Sequence, residues 1–283
     1  MSNKPIFLKV KDHSVSGEEF QLVKNPEYGF LETLPRPSEG SLPKYYQSDD
    51  YISHTNAKRN WFEKAYHFIR AVALKKKLRL INIYSNQSKN LLDIGCGTGD
   101  FLQVAKQNGW NVFGIEPNEQ ARSIANIKTG NLVYQPDQFL KFEKHSFDVI
   151  TLWHVLEHLP NLKGQMDLFK TLLKPDGTLV IAVPNYKSFD AIHYKDFWAA
   201  YDVPRHLWHF NKDAMSNLLS KQSLKVIKII PMWFDAFYVS LLSEKYKSGK
   251  MNIIKGFYIG LLSNLKAFAT KETSSLIYIV KNK

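Results

Sequence analysis

A chain of 283 residues, 44% of them hydrophobic, can bury a substantial core as one large domain or as one domain with additions. Its single cysteine, Cys96, excludes an internal disulfide and any cysteine-rich zinc site, and it fits a reducing compartment such as the cytoplasm. A formal charge of +12 admits nucleic acid or an anionic membrane as partner, although scattered, solvated lysines are the simpler account. The one dense basic cluster is Lys75-Lys76-Lys77 with Arg79. Met1 to Val10 is polar and lacks the apolar core of a signal peptide, and no apolar run reaches transmembrane length.

Residues 1–55 read as an extension. Gln21 to Val23 predicts a short strand, Leu34 to Gly40 a breaker-rich turn, and Tyr45, Tyr46 and Tyr51 an aromatic cluster. Asn56 to Ile83 has helical periodicity. Phe62, Ala65, Tyr66, Ile69, Ala73 and Leu74 form one stripe, with Lys58, Lys64 and Arg70 facing away. Asn90 to Ile94 is an apolar run suited to a central parallel strand. Gly95, Gly97 and Gly99 follow at alternate positions, and a helix runs from Thr98 to a stop at Gly109.

This spacing is not the G-x-G-x-x-G of a dinucleotide site, because Asp100 stands where a glycine is wanted, and the Lys-Ser/Thr of a P-loop is missing. Asp93 would repel a phosphate, but it suits an ammonium group or hydroxyls. Asn111 to Glu116 predicts the next strand, whose terminal carboxylate can accept both hydroxyls of a ribose.

Pro117 ends that strand, and Asn118 caps a helix running to about Ile127. Asn131 to Gln135 is a third strand, with Asp137 and Gln138 after it; Ser146 to Trp153 is a fourth. A helix over Leu162 to Leu173, a turn at Lys174 to Gly177 and a strand over Thr178 to Pro184 come next. Asn211 caps a helix to Lys221, Leu224 to Ile230 is a strand, and Leu276 to Val280 is the last.

Between those two strands, Met232 to Thr270 predicts two amphipathic helices. One carries Phe234, Phe237, Tyr238, Leu241 and Leu242. The other carries Ile253, Ile254, Phe257, Leu261, Leu262 and Leu265. Lys245, Lys247, Lys250 and Lys255 lie around their connection. The pair reads either as a lid or peripheral membrane contact, or as an ordinary covering of the sheet edge or of a dimer partner.

Asp93-x-Gly95-x-Gly97-x-Gly99, Glu116, the Phe147-Asp148-Val149-Ile150 strand and the run from Leu172 to Asn185 together resemble class I S-adenosylmethionine (SAM)-dependent methyltransferases. The resemblance is strongest from Lys89 to Ile230. It implies an α/β fold: a Rossmann-like, mostly parallel seven-stranded sheet with helices on both faces. Residues 1–55 would then be an extension or cap, and 56–283 the methyltransferase domain with its helical insertion at about 232–270. It also implies SAM as cofactor, with Asp93, Gly95, Cys96, Gly97, Gly99, Glu116, Pro117, Asp137 and Trp153 around it; Gln138 is an alternative to Asp137 at the adenine.

Asn25-Pro26-Glu27-Tyr28-Gly29-Phe30 is similar to the N-terminal region of some bacterial members, where Cys-x-x-Cys-Gly-Phe forms half of a zinc ribbon. Asn25 and Tyr28 stand in the cysteine places, so any such ribbon is expected to be metal-free. The extension is either a cap over the substrate or a stabilising addition.

In open α/β sheets ligands bind beyond the carboxyl ends of the strands, which points to Trp153-His154-Val155-Leu156-Glu157-His158. This stretch lacks the Asn/Asp-Pro-Pro-aromatic motif of base-amine methylation, and Cys96 is misplaced for cytosine C5 chemistry. Methyl transfer needs alignment, worth about 7–11 kcal/mol. An oxygen or carbon acceptor must also lose a proton. His154, His158 and His206 are the candidate bases, the last lying in the aromatic loop Trp198 to Phe210.

Ubiquinone-pathway and small-RNA 2′-O-methyltransferases of this fold carry Glu-x-x-Glu-His and a later histidine around a divalent metal. Glu157, His158 and either His206 or His209 match, with His154 in place of the first glutamate. These residues could hold a divalent ion, or simply pack locally. The expected activity is O- or C-methylation of a small molecule such as a quinone precursor, lipid or sugar derivative. Nucleic acid is not the expected partner. The alternatives are an RNA methyltransferase, and a SAM-binding protein without transfer activity.

Overall fold

The computed structural model describes residues 5–38, 40–46, 61–85 and 88–283. Tyr51, the predicted helix start at Asn56, and the side chains of Lys58, Phe62, Lys64, Ala65 and Tyr66 lie outside what it describes. In chain order the elements are β1 (Ile6–Lys11), β2 (Glu19–Lys24), β3 (Leu31–Leu34), α1 (Trp61–Ile83), β4 (Asn90–Ile94), α2 (Asp100–Gln107), β5 (Asn111–Ile115), α3 (Glu119–Thr129) and β6 (Val133–Tyr134). Then come β7 (Phe147–Trp153), α4 (Leu162–Leu172), β8 (Leu173–Pro184), α5 (Phe189–Tyr194), β9 (Trp208–His209), α6 (Lys212–Lys221), β10 (Leu224–Met232), α7 (Asp235–Ser248), α8 (Ile253–Thr270) and β11 (Ser275–Asn282).

The central sheet has seven strands in the order β10-β11-β8-β7-β4-β5-β6. Its β8-β7-β4-β5-β6 portion is parallel throughout, and β11 runs antiparallel to both neighbours. Apolar residues on successive positions explain why its middle is buried on both faces. Leu91 of β4 packs with Phe101 and Leu102 of α2, while its neighbour Leu92 joins the opposite cluster with Met166 of α4 and Met215 of α6. Both leucines are fully buried; trimming either to alanine would cost about 2–5 kcal/mol. The predicted caps are in place: Asn118 Oδ1 accepts from Ala121 N at 2.9 Å, and Asn211 Oδ1 from Ala214 N at 2.8 Å.

Two local expectations differ. Lys174 to Gly177 is not a separate turn but an irregularity inside β8: Phe147 opposes Leu173 and Val149 opposes Thr178. The extra residues bulge opposite Asp148, and Lys174 Nζ is fixed to Asp148 Oδ1 at 2.8 Å.

The extension is also more ordered than its sequence suggests. It forms an antiparallel meander, β1-β2-β3, to which β9 from the aromatic loop adds as fourth strand. This pairing, Leu31 with His209 and Glu32 with Trp208, crosses the boundary expected near residue 55. Asn25 to Phe30 is the hairpin turn between β2 and β3, closed by Asn25 Oδ1 accepting from Glu27 N and Tyr28 N at 2.9 Å each.

Candidate functional site

The carboxyl ends of β4, β5 and β7 form one rim. On its first half, Gly95 N and Cys96 N donate to Ile115 O at 2.8 and 3.2 Å, tying the glycine turn to β5. Gly99 has φ +75° and lies so close to α3 that a Cβ there would sit 2.8 Å from Ala125 Cβ. A Cβ on Gly97 would meet nothing within 4 Å, so this position leaves open space. Glu116 closes the arrangement: its Oε2 accepts from Gly97 N at 2.8 Å and its Oε1 from Asn118 N at 2.9 Å. Each oxygen keeps a lone pair for a further donor.

Asp93 is buried beneath this loop and accepts from Thr151 Oγ1 at 2.6 Å. Burial pushes its carboxyl up to about 7, against the opposing pull of Thr151 and Lys77. A buried acid held by a single hydroxyl at the mouth of an open glycine turn has the chemistry to receive a cation. The helix start beyond is already taken by an acid: Asp100 binds Lys128 Nζ at 2.7 Å and pairs with Arg70. That leaves no anion site on α2.

The remaining first-half candidates divide by exposure. Pro117 and Asp137 are exposed just past the ends of β5 and β6, and Gln138 is half-buried. Cys96 turns its sulfur behind the loop, toward the space a Gly114 Cβ would fill, and burial pushes its thiol up. Trp153 ends β7 with an indole Nε1 that is buried and unpartnered. Lys77 of α1 lays its ammonium 4.4 Å from the Trp153 ring centroid. Burial lowers its pKa, opposed by Asp93 and Asp235. Nothing in the basic run Lys75-Lys76-Lys77 distinguishes Lys77 from its neighbours.

On the second half, Glu157, His158 and His206 offer ligand atoms that all lie within 4.8 Å of one another. Glu157 is fully buried, and neither of its carboxylate oxygens has a hydrogen-bond partner. Burial pushes its carboxyl up, yet the surrounding histidines, His154 first among them, hold it below the ordinary range.

His158 Nδ1 lies 3.0 Å from Arg205 O, and His206 Nδ1 lies 2.9 Å from Ala200 O. A carbonyl can only accept, so each Nδ1 carries a proton and each ring turns its Nε2 the other way. Burial, and then the nearby His206, pull His158 down to about 4, so it is neutral near pH 7 and its Nε2 is bare. His206 Nε2 lies 3.9 Å from Asp202 Oδ2. A buried carboxylate beside two imidazole Nε2 atoms, each ring oriented by a carbonyl, has the donor set of a divalent-cation site.

His154 does not fit the base role expected of it. Its Nε2 is 3.1 Å from Asp235 Oδ2 and its Nδ1 is 3.5 Å from Glu157 Oε1. Burial opposes the charge, but the two carboxylates raise its pKa to about 10. It is therefore a cation near pH 7 and has no proton vacancy. His209 is also set apart. Thr33 Oγ1 donates to His206 O at 2.6 Å and accepts from His209 Nε2 at 2.9 Å. This fixes His209 as a donor facing the meander, so His206 is the later histidine of the cluster.

The extension supports this half directly. The Tyr46 hydroxyl lies 3.4 Å from His158 Nδ1. Arg205 reaches Asp12 Oδ1 at 3.1 Å, Asp202 Oδ1 at 2.7 Å and Tyr45 O at 2.6 Å. Asp12 falls to about 2: burial opposes its charge, but the Ser16 amide and Arg205 outweigh that.

Residues 65–229 match the family model described as a methyltransferase domain. The ubiquinone biosynthesis O-methyltransferase of Coxiella burnetii (strain Dugway 5J108-111) is 27% identical over 176 residues, which cover 58% of this chain and 72% of that protein. The enzyme of the same name from Actinobacillus pleuropneumoniae serotype 7 (strain AP76) is 34% identical over 108 residues, covering 34% and 46%.

Among solved structures, magnesium protoporphyrin IX methyltransferase from Synechocystis PCC 6803 with bound SAH superposes with a TM-score of 0.56 at 12% identity, covering 87% of this chain and 100% of that one. A SAM-dependent methyltransferase from Archaeoglobus fulgidus gives 0.51 at 18% identity, covering 79% and 100%. At such identities these two structures speak for the fold.

Proposed function

The chain belongs to the methyltransferase domain family and is a SAM-dependent methyltransferase, and we propose that it methylates an oxygen of a small-molecule acceptor held at the Glu157-His158-His206 cluster. The observation that carries this reading is Glu157. Its charge is met by His154 at 3.5 Å, but neither carboxylate oxygen makes a hydrogen bond, and the cluster sets two further imidazole nitrogens beside it, a donor set that suits a divalent ion. Glu157, His158 and His206 are the residues that would hold a divalent ion. Such an ion, when bound, polarises an acceptor hydroxyl and favours its oxyanion.

Asp93 and Glu116 are the residues we assign to SAM, Asp93 to its positive charge and Glu116 to its ribose hydroxyls. Gly97 leaves the close approach open, and Trp153 ends β7 between Asp93's partner Thr151 and His154. SAM, when bound, supplies an already activated methyl group, so the protein's task is alignment, worth about 7–11 kcal/mol. His158, held neutral by burial, keeps its Nε2 free of a proton beside the acceptor. The His154 cation, paired with Asp235, fixes the orientation of Glu157. The relatives named for ubiquinone biosynthesis support a quinone precursor as acceptor, and the lone cysteine supports a cytoplasmic setting.

The test is methyl transfer from labelled SAM to a catechol acid. The protein is stripped with EDTA and then supplied with magnesium or manganese. We expect label on oxygen, loss of turnover on stripping and recovery on metal return. Turnover indifferent to metal would remove the cluster from the chemistry.

A further inference from the structure

We propose that the α7–α8 hairpin docks the protein onto an anionic lipid surface. Helix α8 is built inside out. Its inward face carries Gly256, Ile259, Gly260, Ser263, Asn264 and Ala267, while Ile254, Phe257, Tyr258, Leu261, Leu265 and Phe268 are exposed, Ile254 to 85% and Phe268 to 62%. A surface helix ordinarily does the reverse.

The rotation is fixed. A Cβ on Gly260 would lie 2.8 Å from Phe237 Cα, and one on Gly256 would lie 3.0 Å from Leu241 Cα, so α7 sits against a glycine seam. Ser263 Oγ donates to the buried Asp190 at 2.6 Å, and that carboxylate also takes Trp198 Nε1 and Ser274 Oγ at 2.7 Å each. Turning the apolar stripe inward would break this buried network. The stripe therefore faces outward by construction, and Phe234, Tyr238 and Met251 of the same hairpin region are exposed as well. So much exposed apolar surface on one element marks an interaction site.

Charge selects the occupant. From Trp233 to Lys271 the chain has six lysines and two acids. Glu244 is buried against Lys255 at 3.1 Å, and Asp235 faces His154. Glu272, next along the chain, is taken by Lys212 at 3.0 Å, and among the described residues Lys247, Lys250, Lys266 and Lys271 have no acid paired with them. A second copy of the chain would oppose like to like, since a twofold interface sets the same patch against itself. An anionic bilayer answers both features. Apolar side chains enter the boundary between headgroups and acyl chains, while the lysines stay at the phosphates. No described helix is long and apolar enough to cross a membrane, so the contact lies in the plane of the surface. This assignment is independent of the acceptor.

Co-sedimentation of the full chain with vesicles tests it, using phosphatidylcholine alone and phosphatidylcholine mixed with phosphatidylglycerol. We expect capture by the mixed vesicles only, weakened by salt. The I254Q/L261Q/L265Q variant, altered at exposed positions, should lose capture yet keep its affinity for S-adenosylhomocysteine. K247E/K250E should lose about 25-fold in partitioning, at about 5-fold per basic residue before any reversal effect. The proposal is overturned if the mixed vesicles capture nothing, or if both vesicle types capture equally. A dimer formed without lipid and abolished by I254Q/L261Q/L265Q would overturn it in favour of a second copy.

Discussion

The half of the rim that carries Asp93 and Glu116 comes mainly from one strand-turn-helix-strand unit, whose loop is tied to Glu116 within 19 residues, with β7 adding Thr151 against Asp93. The half that carries Glu157, His158 and His206 draws on the end of β7, the aromatic loop and the N-terminal meander, with Thr33 bonded to His209 across 176 residues. The first half encodes its chemistry locally. The second depends on packing between distant segments, and its polar groups are finished by partners that no local motif contains.

If that contrast holds, damage should spread differently from the two halves. The largest effect is expected at the latch between loop and extension. Arg205→Met strips the cation from the buried Asp12 and from Asp202, and breaking a buried pair in this way costs about 3–5 kcal/mol. Chemical denaturation should show that loss of stability, and metal affinity should fall with it, because the Arg205 carbonyl orients His158.

Next is Glu157→Gln. It should lower metal affinity and turnover by more than the roughly 10–100-fold attached to an outer-shell partner, while calorimetry finds affinity for S-adenosylhomocysteine unchanged. A matched loss of cofactor affinity would mean that the halves are not separable.

The smallest effect is a pH dependence confined to the first half. Asp93 titrates near 7 without cofactor, and a bound cation favours its charged form. Affinity for SAM should therefore be flat above about pH 7 and fall as pH drops below it, by at most about tenfold per unit. Asp93→Asn should bind more weakly and lose this dependence. A wild-type affinity that rises toward acid would contradict the assignment of Asp93.

The same contrast explains what could be read without coordinates. Asn118 and Asn211 were legible as caps because a cap is a local device. Glu116 was legible because it ends an apolar strand. His206 and His209 could not be told apart, since the deciding atom is the hydroxyl of Thr33. His154 read as a base because its cation-holding partner, Asp235, comes from a helix far along the chain. Lys77 looked like any solvated lysine, since helical periodicity does not show that α1 turns it toward Trp153. In α8 the apolar period was plain, but a period gives a stripe and not the direction it faces; Gly256, Gly260 and Ser263 settle that.

The pairing of β3 with β9 also bears on how the chain is made. The meander leaves the ribosome before the aromatic loop, so the outer edge of β3 stays open until Trp208 and His209 have been synthesised. At about 5–20 residues per second, β3 waits on the order of ten seconds or more as an open edge. During that interval the nascent chain is exposed to mispairing. Folding of the cofactor-side unit can begin meanwhile, so the two chemistries of the rim mature in sequence, the local one first.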